Sequence, residues 1–247
     1  MPDSRAVVLL LSTAFGCGCA PASTPVRALP RRQTAQEHAG VRYLLHLPAA
    51  YESRPDWPVI LFLHGAGERG RDLGLLLREG LPRILESLPD FPFVVVSPQE
   101  EKGRLWTPDA LAELVDDVVA RERVDPERVY ATGLSTGATA ALEVAIRRPG
   151  KIAAVAAVSP TRIPAALCGM KPVPTWIFQN AGDERVPATR ATRLARELRR
   201  CGNAEVIVTL YPREGHDAWT ETYRRRDLYE WMLRHRSSPS PSGRGPG

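Results

Sequence analysis

The sequence predicts an α/β fold with a mostly parallel central sheet and helices on both faces, and three observations predict it. Between residues 41 and 236, apolar β-rich runs alternate with helical segments, the pattern of strands joined by helical crossovers. The 247 residues are 43% hydrophobic and 25% charged, enough to build one full core and unlike collagen, a coiled coil or a wholly disordered chain. No internal repeat and no linker interrupts residues 41–236, which therefore read as one domain.

Strands are expected at 41–47, 59–63, 93–97, 129–134, 152–158, 175–179 and 206–211, each an apolar run bounded by turn-forming or polar residues. Helices are expected at 108–121, at the Ala-rich stretch 136–148, at 187–200 and at 220–235. The third has arginines in its last turn and Gly202 just past it, a good C-terminal signal. Only a short segment separates Pro160 from Pro172, so no large lid is expected after the strand ending at Val158.

The ends read differently. Residues 1–20 carry Arg5, an apolar stretch from Ala6 to Phe15 and then small residues, as an export signal does. That run is too short to span a bilayer. Cleavage after Ala20 fits. So does a lipoprotein route with Ala14-Phe15-Gly16-Cys17 as a degenerate lipobox and Cys17 as the lipidated residue, which would be the chain's one link to a membrane. Residues 21–40, rich in Pro, Ser and Thr at their start, are expected as a linker, and 237–247 as a low-complexity disordered tail.

The formal charge is +5, yet the chain has only three lysines, Lys102, Lys151 and Lys171, with its arginines dispersed. No stripe suited to phosphates emerges, and Arg224-Arg225-Arg226 lies in a helical segment as a solvated face, so nucleic acid is not an expected partner. Export would leave Cys168 and Cys201 in an oxidising compartment where they can pair; two unrelated thiols is the alternative. The absence of CxxC and His-Glu-x-x-His motifs leaves no metal site and no cofactor to expect.

After the strand 59–63 comes His64-Gly65-Ala66-Gly67-Glu68-Arg69-Gly70, in which Gly65, Gly67 and Gly70 satisfy the spacing GxGxxG. A dinucleotide site also wants a helix opening at the third glycine and an acidic residue ending the next strand, and neither is evident. The other use of such a loop is to aim backbone N–H groups at an oxyanion. Gly133-Leu134-Ser135-Thr136-Gly137 is G-x-S-x-G between a strand and a helix, the context in which that motif presents a nucleophilic serine. A serine needs a base oriented by an acid, in the order Ser, acid, His for this arrangement. Asp183 follows the strand 175–179 and His216 the strand 206–211, so all three candidates lie past C-terminal strand ends, where open α/β sheets place their sites. Glu184 and Asp217 are rival acids, the first further from the strand end and the second adjoining the histidine it would orient.

The stretches 57–70, Ser97-Pro98-Gln99, Trp106, Val124-Asp125, Arg128-Val129-Tyr130, the serine elbow and 215–220 with 228–231 resemble the exported esterase and "predicted peptidase" group of α/β-hydrolases, relatives of polyhydroxybutyrate depolymerases, feruloyl esterases and phospholipase/carboxylesterases. The resemblance implies the α/β-hydrolase fold, Ser135 as nucleophile, His216 as base, Asp183 as its orienter, and the backbone N–H groups of Ala66 and Thr136 as oxyanion donors. It makes His64, Trp106 and Trp219 candidate pocket walls, a tryptophan serving equally as core. Thr136 and Ala138 depart from the residues this group more usually carries at the elbow. The reading is a serine hydrolase of small or polymeric carboxylic esters, with an exported peptidase using the same residues as the alternative. A dinucleotide oxidoreductase and a non-catalytic binding module are the distant ones. The sequence carries no signal for oligomeric state.

Overall fold

The computed structural model describes residues 33–88, 90–103 and 105–237. The expected leader, Cys17 and the tail from 238 onward lie outside these. Among the described residues one eight-stranded sheet forms: β1 (Gln33–His38), β2 (Val41–His46), β3 (Trp57–Leu63), β4 (Val94–Pro98), β5 (Val124–Leu134), β6 (Ala154–Val158), β7 (Thr175–Gly182) and β8 (Val206–Glu214), in the order β1-β2-β4-β3-β5-β6-β7-β8. The β1–β2 and β2–β4 pairings are antiparallel and every other pairing is parallel.

The strands alternate faces, and each face has its own core. Val59, Leu61 and Leu63 of β3 with Val129 and Ala131 of β5 point to one side, under α2 (Pro108–Arg121), α3 (Thr136–Arg147) and α4 (Thr189–Arg200). Ile60 and Phe62 with Tyr130 point to the other, under α1 (Gly80–Leu85) and α6 (Arg226–Leu233), with the short α5 (Trp219–Thr222) between strand and helix. All seven residues of β3 are buried, which is why it reads as an unbroken apolar run rather than an alternating one. Thr107 starts α2 by accepting the Ala110 N–H on its hydroxyl, with Pro108 at the first helical position.

Two expectations are corrected. Residues 33–38 are not linker: they form β1, an edge strand turned into β2 through Ala39 and Gly40, both at positive φ. An edge strand needs few apolar residues, and most of β1 is wholly or partly exposed, so its polar sequence hid it. The single helix expected at 220–235 is two. Tyr223 is fully buried at the break, its hydroxyl within 3.0 Å of Thr132 Oγ1, and Arg225 is extended, which ends one helix before the next begins. The connection from β6 to β7 holds one short 3-10 turn, Leu167–Met170, and no helical lid.

Cys168 on that turn and Cys201 at the C-terminal cap of α4 are joined by a disulfide, with Cα atoms 5.0 Å apart. The bond closes a loop across a sequence separation of 33 residues. In the chain-entropy account a closure of that length stabilises by about 3–4 kcal/mol. Replacing both cysteines by serine should lower the urea midpoint accordingly and the melting temperature by roughly 10 °C; equal melting curves for the two proteins would refute this.

Candidate active site

The site is built on one close approach. Gly137, in the first turn of α3, lies so near β3 that a Cβ there would sit 2.0 Å from the Leu63 carbonyl oxygen, and a Cβ on Gly133 would sit 2.5 Å from Gly137 carbonyl atoms. Only glycine fits at either position, which explains both glycines of G-x-S-x-G. Ser135 between them has φ 54° and ψ −116°, a conformation that L side chains rarely adopt. Its N–H donates to the Val158 carbonyl at 2.9 Å, which ties the turn to β6. The half-buried hydroxyl is left at the N-terminus of α3.

Three side chains from three loops form one hydrogen-bonded chain. His216 Nε2 lies 3.0 Å from Ser135 Oγ and His216 Nδ1 lies 2.6 Å from Asp183 Oδ2. The carboxylate can only accept, so Nδ1 carries the proton and Nε2 is free to accept from the serine. Asp183 is 4% exposed, and four donors hold it: His216, the Gln179 amide at 2.7 Å, and the backbone N–H groups of Arg185 and Val186 at 2.9 Å. The rivals are elsewhere. Glu184 is exposed, and Asp217 accepts from the Thr220 N–H and hydroxyl at the start of α5.

The His64–Gly70 loop flanks the serine on the β3 side. Gly65 lies close enough that a Cβ there would be 3.7 Å from Ser135 Cβ, and its N–H donates to Glu68 Oε2 at 3.0 Å. Burial is the main cause that raises the Glu68 carboxyl above its ordinary value. Ala66, next along, is exposed, and Thr136 opens α3 directly after the serine. The glycines do not open an α-helix: Ala66–Glu68 is a single 3-10 turn, followed by another at Leu73–Arg78. The loop therefore lacks the helix N-terminus that a dinucleotide pyrophosphate requires.

His64 is corrected from pocket wall to framework. It is 1% exposed, its Nδ1–H donates to the Gly65 carbonyl, and its Nε2 accepts the Glu100 N–H at 2.9 Å. Desolvation lowers its pKa to about 4, so the ring is neutral and pins the loop after β4 to the loop after β3. Glu100 in turn pairs with Arg69 and accepts the Trp106 N–H. Trp106 packs edge-on against His64 and borders a cavity of about 180 Å³ that also touches Thr136, Thr139 and Arg162. Trp219 meets the His216 ring edge-on at 5.2 Å and donates its indole N–H to Glu79 at 2.9 Å. Sequence reasoning missed Gln179, Asn180 and Glu79. Gln179 and Asn180 were legible as polar residues ending an apolar strand, whereas Glu79 has no local signal.

Among solved structures, a thermostable esterase matches with a TM-score of 0.70 at 23% identity, over 83% of this chain and 62% of its own. Thermogutta terrifontis esterase 2, in a structure phosphorylated by paraoxon, matches with 0.64 at 15% identity, over 82% and 94%. The chain has the α/β-hydrolase fold. An acylaminoacyl peptidase from Pyrococcus horikoshii matches that hydrolase fold with 0.61 at 13% identity, over 85% of this chain and 42% of its own. The chain thus spans less than two thirds of the length of the first and last of these proteins. Residues 106–170, which carry Trp106 and the serine turn, match the model of the family described as Esterase PHB depolymerase. No curated protein matches the chain by sequence.

The neutral His64 makes a pH prediction. Its folded value, about 4, lies below the ordinary 6.5, so the unfolded chain binds the proton first as pH falls. The stabilisation is complete above pH 6.5 and is lost through that value down to about 4, amounting to about 3 kcal/mol. Urea unfolding between pH 7.5 and pH 4 should therefore be less pH-dependent in His64→Gln by about that amount. Parallel curves for the two proteins would count against it.

Proposed function

We propose that this chain is an exported serine hydrolase that cleaves carboxylic esters through an acyl-enzyme. The observation that carries the reading is the chain Ser135–His216–Asp183, at 3.0 and 2.6 Å, behind a serine held at positive φ. Ser135 Oγ attacks the acyl carbon as its proton passes to His216 Nε2, and Asp183 stabilises the resulting imidazolium. The tetrahedral oxyanion is received by the N–H groups of Ala66 and Thr136, with the N-terminal end of α3 adding favourable partial charge. Collapse breaks the bond to the alcohol oxygen, which takes the proton from His216. Water, deprotonated by the same imidazole, then attacks the acyl carbon, and Ser135 leaves as the hydroxyl.

The likeness to two esterases and the family match over residues 106–170 support an ester substrate. The likeness to an acylaminoacyl peptidase keeps amides as the second reading, since the same groups perform both reactions. The short β6–β7 connection supports an open cleft able to admit bulky or polymeric esters. The Cys168–Cys201 disulfide supports export, because such bonds persist in oxidising compartments.

A fluorophosphonate should label the wild type one-to-one and Ser135→Ala not at all. With p-nitrophenyl esters of increasing acyl length, Ser135→Ala should lose on the order of 10⁶-fold in kcat, and Asp183→Asn about 10⁴-fold, because the imidazole then takes the wrong tautomer. Matched p-nitroanilides should turn over far more slowly. A wild type that neither labels nor hydrolyses any ester overturns the reading, and faster anilide than ester cleavage moves it to the peptidase.

A further inference from the structure

A cavity of about 620 Å³ opens between α1 and α6, on the face of the sheet opposite α2, α3 and α4. That volume is in the range of small-molecule sites. Its wall includes Ile84, Leu88, Phe91, Phe93 and Leu233. The floor is preformed: the rings of Phe91 and Phe93 pack against Tyr229 at 4.8 and 5.8 Å. The tyrosine hydroxyls of the wall are already used. Tyr229 OH donates to the Tyr223 carbonyl at 2.7 Å, and Tyr223 OH pairs with Thr132 inside the core. What remains facing the cavity is largely hydrocarbon, and Leu88 and Leu233 are exposed at 42% and 40%.

The charge beside this hydrocarbon is unbalanced. Arg83, Arg224, Arg226 and Glu230 also border the cavity. Arg226 is taken by Glu230 within its own helix. Among the described residues Arg83 and Arg224 have no carboxylate partner, and Arg83 makes only a 3.4 Å contact to the Arg78 carbonyl. Two uncompensated guanidinium groups beside an apolar hole fit a ligand with an alkyl chain and an anionic head. This volume is separate from the serine site. Ser135, Asp183 and His216 are not part of its lining, and no residue is shared with the lining of the Trp106 cavity.

We infer that the α1/α6 cavity binds one monomeric long-chain carboxylate, its alkyl chain between Ile84, Phe91 and Leu233 and its head on Arg83 and Arg224. The site does not depend on the activity proposed above, and the two are read out separately.

Calorimetric titration of the full chain with sodium dodecanoate, kept below its micelle concentration, tests it. One saturable site is expected in wild type and equally in Ser135→Ala. Dodecyltrimethylammonium, with the same chain and the opposite charge, should bind at least tenfold more weakly. The double variant Arg83→Glu/Arg224→Glu should weaken dodecanoate at least tenfold, with an unchanged melting temperature and unchanged ester turnover. No saturable heat, equal affinity for the two amphiphiles, or a double variant that binds as wild type would each overturn the assignment. So would binding to phosphatidylglycerol vesicles with none to monomeric dodecanoate, which would mark a membrane surface instead.

Discussion

The contact on which the rest of this molecule depends is the approach of α3 to the end of β3. With Gly137 against the Leu63 carbonyl and Gly133 against Gly137, the chain must turn from β5 into α3 within a single residue, and that residue is Ser135. A conformation at φ 54° costs about 1–3 kcal/mol and survives only because its surroundings are rigid. β5 lies in the middle of the sheet, between β3 and β6, and the Ser135 amide is bonded across to Val158. Strand spacing of roughly 4.8 Å then sets the problem for the partners. Asp183 leaves the end of β7 and His216 the end of β8, and the histidine must reach back across two strands to the serine. The Gly215 N–H on the Gly182 carbonyl, and the Asn180 amide on the Gly215 carbonyl, fold that loop inward.

The two flanks of the serine are organised by opposite electrostatic means. On the β7 and β8 side four hydrogen-bond donors converge on a buried carboxylate. On the β3 side burial favours neutral groups: His64 is deprotonated and the Glu68 carboxyl is raised. The exception there is Glu100, whose charge is matched by Arg69 and by the Trp106 N–H. The chain's many arginines contribute little to this. Several of those in the described residues lie in exposed pairs such as Arg147 with Asp109 or Arg226 with Glu230, each worth about 0–1 kcal/mol.

How much of this was legible in the sequence follows from how local each signal is. The inner strands are buried on both faces and α2 to α4 along one side, so unbroken apolar runs and helical periods expose them near their true ends, apart from β5, which starts at Val124 rather than at 129. The serine turn is legible for the same reason: two glycines flanking a serine between strand and helix are a short-range signature. β1 was not, because pairing with β2 rather than side-chain burial holds it. His64 was misread because a histidine beginning a glycine-rich loop looks the same whether it faces the cleft or the interior; only its bond to the Glu100 amide, far along the chain, decides. Glu79 acts on Trp219, a partner far along the chain that no neighbouring residue announces, whereas Gln179 acts on Asp183 four positions on and was legible as a polar residue ending an apolar strand.

The disulfide has one more consequence, topological rather than energetic. The covalent ring closed by Cys168 and Cys201 contains all of β7, the loop bearing Asp183, and α4. Every backbone donor and the glutamine amide that hold the acid therefore lie inside one closed loop. The exposed residues Glu184, Arg185 and Pro187 in it are the accessible place for a protease to cut. A single cut there leaves both fragments joined through sulfur, with β7 still paired between β6 and β8. The acid's scaffold would stay tethered after a nick that would release it from a reduced chain.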